Sequence, residues 1–209
     1  MKVERFETGM MMNNTYLAWC AETRRAAAVD PVGSCRQALG FILDNALTLD
    51  FIFYTHAHPD HVSGAAAMKK ATGARVAAHA LARKLMRGPL MLLCSGLGLA
   101  FKPVPPDMPL EDGAELRIGN GALRVLHTPG HTPDGICLAG PGLVFTGDTL
   151  INESVGRTDL PGGSASLLMS SIRDKLLPLP GDTVVYPGHG PATTLAHERA
   201  HNPFFVNFK

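Results

Sequence analysis

The chain alternates short apolar runs with polar and glycine-rich punctuation. Residues 2–7, 15–21 and 25–30 show the partial two-residue alternation of strands, separated by turn material. Ser34 is placed to cap a helix whose apolar members Leu39, Phe41, Ile42 and Leu43 recur at helical spacing. Residues 49–54, LDFIFY, form a compact apolar strand that stops at Thr55. A helix over 61–71 and a strand over 74–78 follow. Strands alternating with helices predict a sheet with helices on one face.

Residues 88–109 break this rhythm. Pro103, Pro105, Pro106 and Pro109 interrupt any regular element, so the segment is expected to be an irregular, apolar connector. Strands are then predicted over 115–118, 123–127, 135–139 and 143–146, a helix over 164–177, and a strand over 183–186. A short last helix leads to His201. There is no tandem repeat and no composition boundary, so residues 1–209 are expected to form one domain of two similar halves.

Composition narrows the function classes. At 209 residues the chain can bury a substantial core, and 45% hydrophobic with 18% charged residues is ordinary for a globular protein. A net charge of +1 without any Lys/Arg cluster argues against nucleic-acid binding. No run approaches the roughly 20 apolar residues of a membrane span. Residues 1–12 lack the features of a secretory signal. Cys20, Cys35, Cys94 and Cys137 form no CxxC pair and are expected to be reduced, mostly buried thiols in a cytoplasmic protein.

The chemistry concentrates at the ends of apolar runs. LDFIFY is followed at once by Thr55-His56-Ala57-His58-Pro59-Asp60-His61, with three histidines and an aspartate in six positions. In an extended chain His56 and His58 project to the same side, and Pro59 then turns the chain so that Asp60 and His61 face a neighbouring position. Imidazole with carboxylate suits zinc, iron and similar ions. Three further stretches place a polar group beside glycine after LRVL, LVF and VVY: Pro129-Gly130-His131, Gly147-Asp148 and Pro187-Gly188-His189. Loops at strand ends are where scaffolds hold functional groups. His79 reads as a structural histidine, and His127 as a strand-end residue that does not meet His131. His197 and His201, one helical turn apart, lack a third partner and read as surface residues. Asp30 and Asn13-Asn14 read as turn formers, and Arg157 either as orienting a loop carboxylate such as Asp159 or as half of a plain surface pair.

This set of motifs, in this order, resembles the metallo-β-lactamase superfamily, and within it the short, single-domain glyoxalase II-like hydrolases. The stretches Gly156-Arg157-Thr158-Asp159-Leu160-Pro161-Gly162-Gly163 and Asn202-Pro203-Phe204-Phe205 add to that likeness. The resemblance implies an α/β (α+β) fold, a four-layer αββα sandwich with the site at one end of two sheets. It implies His56, His58 and His131 around a first metal, Asp60, His61 and His189 around a second, and Asp148 bridging them. Two divalent ions follow, zinc before iron or manganese. They would activate a hydroxide that attacks a small-molecule thioester, with Asp60 as proton acceptor. The longer glyoxalase II enzymes carry a further helical domain after the position where this chain stops, which weakens the expectation of a glutathione thioester. A competing expectation is a mononuclear iron persulfide dioxygenase using His56, His131 and Asp148. A monomer or homodimer is expected.

Overall fold

The structure, a computed structural model, describes residues 1–8, 12–88 and 103–208. It contains two six-stranded sheets. The first runs in chain order: β1 (Lys2–Thr8), β2 (Asn13–Trp19), β3 (Arg25–Val29), β4 (Thr48–Phe53), β5 (Arg75–His79) and β6 (Met108–Leu110). β1 to β3 pair antiparallel and β3 to β6 parallel. The second is built from β7 (Glu115–Ile118), β8 (Gly121–His127), β9 (Ile136–Gly140), β10 (Leu143–Gly147), β13 (Val184–Pro187) and β14 (Thr193–Thr194). Only β10 and β13 are parallel there. A hairpin of β11 (Leu150–Ile151) and β12 (Ser154–Val155) stands apart.

Alternation along the strands sends side chains to two different cores. Tyr16, Ala18 and Val29 of the first sheet meet Val125, Ile136, Leu138 and Phe145 of the second. Leu17, Trp19, Ile52 and Val76 point the other way, onto α1 (Arg36–Asp44), α3 (Ala65–Thr72) and α4 (Ala82–Leu85). Leu126, Cys137, Val144 and Val185 pack beneath α5 (Ala165–Ser171), the π-helical turn Ile172–Leu176 and α6 (Leu195–His201). The layers are therefore helix, sheet, sheet, helix, as expected. Both faces of each sheet are covered, which is why the strands read as near-continuous apolar runs. Between the sheets Tyr16 packs on Phe145 and Tyr186 at ring-centroid distances of 5.4 and 5.3 Å, and its hydroxyl donates to Pro187 O at 2.7 Å.

Several boundaries differ from the pattern, each for a tertiary reason. In LDFIFY, Leu49 and Phe51 face opposite cores although two residues apart, because the register slips one residue from Ala26–Leu49 to Ala27–Phe51. Asp50 is the extra residue of this bulge, and Arg25 donates to its carboxylate from Nε at 2.8 Å. The helix expected over 61–71 is two: α2 (Pro59–Val62) and α3. Gly64 lies between them so close to the chain at Pro31 and Val32 that a Cβ would sit 2.9 Å from each carbonyl carbon. α1 begins after Cys35, held in a left-handed turn, and Ser34 does not cap it. Ser164 does cap α5, accepting from Leu167 N at 3.4 Å, but the helix widens at Ile172. Residues 89–102 of the expected connector lie outside the described residues, and its end forms β6. Pro109 is tolerated there because β6 is an edge strand. Among the described residues no helix is long and apolar enough to cross a membrane.

One buried group works against the fold. Asp134 is 1% exposed and neither carboxylate oxygen has a hydrogen-bond partner. Burial is the dominant influence and pushes its pKa up to about 6. The folded chain thus holds this proton above the unfolded value of 3.8, and stability is lost as pH rises through 6. Asp134→Asn is expected to stabilise the protein above pH 6 by up to about 3 kcal/mol, with the gain disappearing below pH 4. Thermal unfolding of both proteins across that range measures it; a gain independent of pH would remove the ionised carboxylate as its cause.

Candidate metal centre

The polar loops all leave the C-terminal ends of strands. His56, His58, Asp60 and His61 follow β4, His131 follows β8, Asp148 follows β10 and His189 follows β13. Because β10 and β13 run parallel, Asp148 and His189 emerge side by side. The two sheets are joined at this rim by main-chain bonds. Ile136 N donates to Thr55 O and Asn14 N to Gly188 O, each at 2.8 Å.

All seven residues singled out from the sequence come together there. His58 Nδ1 lies 3.1 Å from His56 Nε2 and 3.0 Å from His131 Nε2. His61 Nε2 and His189 Nε2 are 3.3 Å apart, with Asp60 Oδ2 3.7 and 3.5 Å from them. Asp148 lies between the two groups: Oδ1 is 3.5 Å from His61 Nε2, and Oδ2 is 3.5 Å from His131 Nε2 and 3.6 Å from His189 Nε2. Donor atoms around a tetrahedral zinc stand roughly 3.3 Å from one another, so this spacing fits an ion within each group. Asp148 Oδ1 is buried without a hydrogen-bond partner, an atom that a cation would satisfy. Gly188 permits the close approach, since a Cβ there would crowd Asp148 Oδ1 and sit 2.6 Å from His61 Cε1.

A second ring of bonds fixes which nitrogen each histidine presents. Asp30, 2% exposed, accepts from Thr55 N at 2.7 Å and from Thr55 Oγ1 at 2.6 Å, and pairs with His61 Nδ1 at 2.9 Å. With its proton given to Asp30, the Thr55 hydroxyl accepts from His56 Nδ1 at 3.1 Å. His131 Nδ1 donates to Arg157 O at 2.7 Å. Each bond leaves Nε2 of its ring aimed into the site. Asn13 Nδ2 donates to Asp60 O and Oδ2 at 3.0 and 3.1 Å.

The protonation states follow. Burial and then the neighbouring imidazoles push His56 well below 6.5, and burial with His131 pushes His58 down to about 4. Burial opposes charge on Asp60 and Asp148, yet His189 and His61 around Asp60, and His61 around Asp148, hold both carboxyls below their ordinary range. Burial likewise opposes charge on His61, but Asp148 and Asp30 outweigh it and hold its pKa well above 6.5. At neutral pH the site offers two carboxylates and the neutral imidazoles of His56 and His58, with one proton to displace at His61.

Asp30 and Asn13, read from sequence as turn formers, are therefore parts of the site. The clue was available: Asp30 directly follows the buried run AAAV, much as Asp148 follows LVF after Thr146-Gly147. Arg157 does pair with Asp159 at 2.7 Å, but both side chains are more than half exposed, and it serves the site through its carbonyl. His79 stacks on His127 at 4.1 Å and belongs to neither donor group. Cys35 and Cys137 are buried, whereas Cys20 is partly exposed with a thiol lowered to about 7, first by its hydrogen bond with Thr23. Cys94 lies outside the described residues.

Uptake of divalent metal at pH 7 is expected to release about one proton from His61, and apparent affinity to fall as pH is lowered. Calorimetry in buffers of different ionisation enthalpy measures this; uptake without buffer dependence would contradict it. Asp30→Asn, which disturbs the His61 tautomer, is expected to weaken metal binding by about 10- to 100-fold.

Comparison with known proteins agrees with this geometry. The family model described as the metallo-beta-lactamase superfamily matches residues 8–189. Hydroxyacylglutathione hydrolase GloC of Haemophilus influenzae is 34% identical, with 98% of each chain covered. The mitochondrial persulfide dioxygenase ETHE1 of Homo sapiens is 32% identical over 90% of this chain and 70% of its own. Among solved structures, BLEG-1 B3 metallo-beta-lactamase superposes with a TM-score of 0.90 at 34% identity, covering 98% of this chain and 100% of its own. TTHA1623 in a di-iron-bound form gives 0.85 at 37%, covering 96% and 99%. On fold, motif order and sequence, the chain belongs to the metallo-β-lactamase superfamily.

Proposed function

We propose that this protein is a dinuclear metallohydrolase that cleaves small-molecule thioesters of the hydroxyacylglutathione kind. The observation that carries the reading is the position of Asp148, whose two oxygens lie within 3.6 Å of histidines from both donor groups. In this reading His56, His58 and His131 hold one ion, Asp60, His61 and His189 the other, and Asp148 both. Zinc is assigned first; iron and manganese suit the same donors. When bound, such a pair lowers the pKa of a shared water to about 7 and stabilises charge developing on a carbonyl oxygen.

The chain's own residues supply the rest. Asp60, whose side chain is 28% exposed, is the carboxylate at the solvent edge and accepts the proton of the attacking water. Asn13 holds it in place during that transfer. A thiolate leaves readily because its conjugate acid has a pKa of roughly 8.5, so no strong acid is needed opposite. Likeness to GloC over 98% of both chains supports a thioester, and the free cysteines fit a cytoplasmic setting. We expect a monomer or homodimer.

Likeness to ETHE1 favours one alternative, a persulfide dioxygenase with a single iron on His56, His131 and Asp148. That reading leaves the convergence of Asp60, His61 and His189 unused. Elemental analysis beside hydrolysis of S-lactoylglutathione separates the two. About two equivalents of metal with turnover support the hydrolase; a single iron with oxygen uptake on a persulfide and no hydrolysis would replace it. Asp148→Ala is expected to lose bound metal and to lower turnover by about 100-fold or more. A variant that retained both ions and full activity would refute the bridging role.

A further inference from the structure

One strand along the rim from the metal centre lies a cavity of about 290 Å³, walled by His79, Ala80, Arg83, Pro106 and Pro109. Its side chains are an imidazole, a guanidinium and apolar groups, with no carboxylate among them. β4 and β5 are parallel neighbours, so their C-terminal ends share one edge of the first sheet. The register pairs Phe53 with Ala77, which sets His79, two residues on, level with Thr55 and just short of His56. Adjacent strands lie roughly 5 Å apart. Parallel sheets bind their ligands outside such carboxyl ends.

The two polar groups are held in place. His79 ends β5 and stacks on His127, which ends β8 of the other sheet, with ring centroids 4.1 Å apart and planes 7° from parallel. His127 is itself fixed twice, its amide donating to Asp112 Oδ1 at 2.8 Å and Nε2 to Pro133 O at 3.0 Å, two residues beyond His131. His79 Nδ1 accepts from Leu81 N at 3.3 Å. Burial and then His127 hold the His79 pKa below its ordinary value, against a smaller opposing effect of Glu111. At neutral pH the ring is therefore uncharged, with its proton on Nε2. Arg83, on α4, donates to Pro106 O at 2.7 Å, and its other N–H groups have no acceptor among the described residues.

We propose, resting on the thioester reading above, that this cavity receives a carboxylate carried on the thiol half of the substrate, with Arg83 as its ion-pair partner and His79 as a neutral N–H donor. A guanidinium matches a carboxylate with parallel N–H bonds, and a donor-only lining gives an anion partners while offering a cation none. A glutathione thioester carries such a carboxylate at each end of its tripeptide. The thiol carrier then extends from the donor groups across the end of β4 to β5. Because the stacked rings and the Pro106 contact already hold both donors, little freedom is lost on binding.

Calorimetry of the metal-loaded protein with S-methylglutathione, a thioether that cannot be hydrolysed as a thioester, and with its diethyl ester tests this. Wild type is expected to bind the free acid at least about 10-fold more tightly than the ester. Arg83→Gln is expected to lose that preference and bind the two alike. His79→Ala is expected to weaken binding of the acid by about 5-fold. Equal binding of acid and ester by wild type overturns the proposal, as does an Arg83→Gln variant that keeps the full preference or a His79→Ala variant that binds the acid as wild type does. The measurement needs no turnover, so any of these failures leaves hydrolysis of S-lactoylglutathione standing. An Arg83-dependent preference in a protein that hydrolyses no thioester keeps the anion subsite and removes the hydrolase.

Discussion

The structure turns on one buried carboxylate. Asp30 ends the central strand β3 and receives the amide and hydroxyl of Thr55 and the imidazole of His61. Three bonds converge on a side chain 2% exposed, so the charge is offset locally and the loop after β4 is held in a single path. Both ends of the HxHxDH stretch are thereby fixed to the first sheet, His56 through the Thr55 hydroxyl and His61 directly. The Thr55 carbonyl in turn accepts from Ile136 of the second sheet. The same few atoms orient the donors of one sheet and join it to the other.

How much of this was legible in the sequence depends on what each residue answers to. The layers were readable because strands sandwiched between two cores must be apolar on both faces, and helices covering them on one. The seven converging residues were readable because they gather where such runs end, His56, His58, Asp60 and His61 straight after LDFIFY and His131, Asp148 and His189 each beside a glycine. Asp30 and Asn13 were missed because a short polar side chain at a strand end has the same local signature whether it closes a turn or braces a ligand. The bulge at Asp50 was hidden inside a run where five of six residues are apolar, so a change of phase left no trace. The helix break at Gly64 and the edge strand at Pro109 answer to partners distant in sequence, Pro31 and β5, that local propensity does not see.

Electrostatics and packing act together at the rim. Tyr16, Phe145 and Tyr186 form an apolar floor between the sheets, and the Tyr16 hydroxyl bonds the carbonyl of Pro187, two residues before His189. Above that floor, burial discourages charge on His56, His58, Asp60, His61 and Asp148, and only mutual pairing restores it. His61 keeps a proton because two carboxylates flank it, while His56 and His58 lose theirs among other imidazoles. The charge pattern therefore comes from the arrangement of neighbours rather than from any single residue type.

Gly188 shows how little room that arrangement leaves. Its bare α-carbon faces Asp148 and His61, and its amide and carbonyl are both committed, to Gly147 O and Asn14 N. Even a methyl group there would force the Asp148 carboxylate and the His61 imidazole apart while every charged residue kept its place in the sequence. A protein could keep all seven donors and still lose its centre through one hydrogen replaced by carbon.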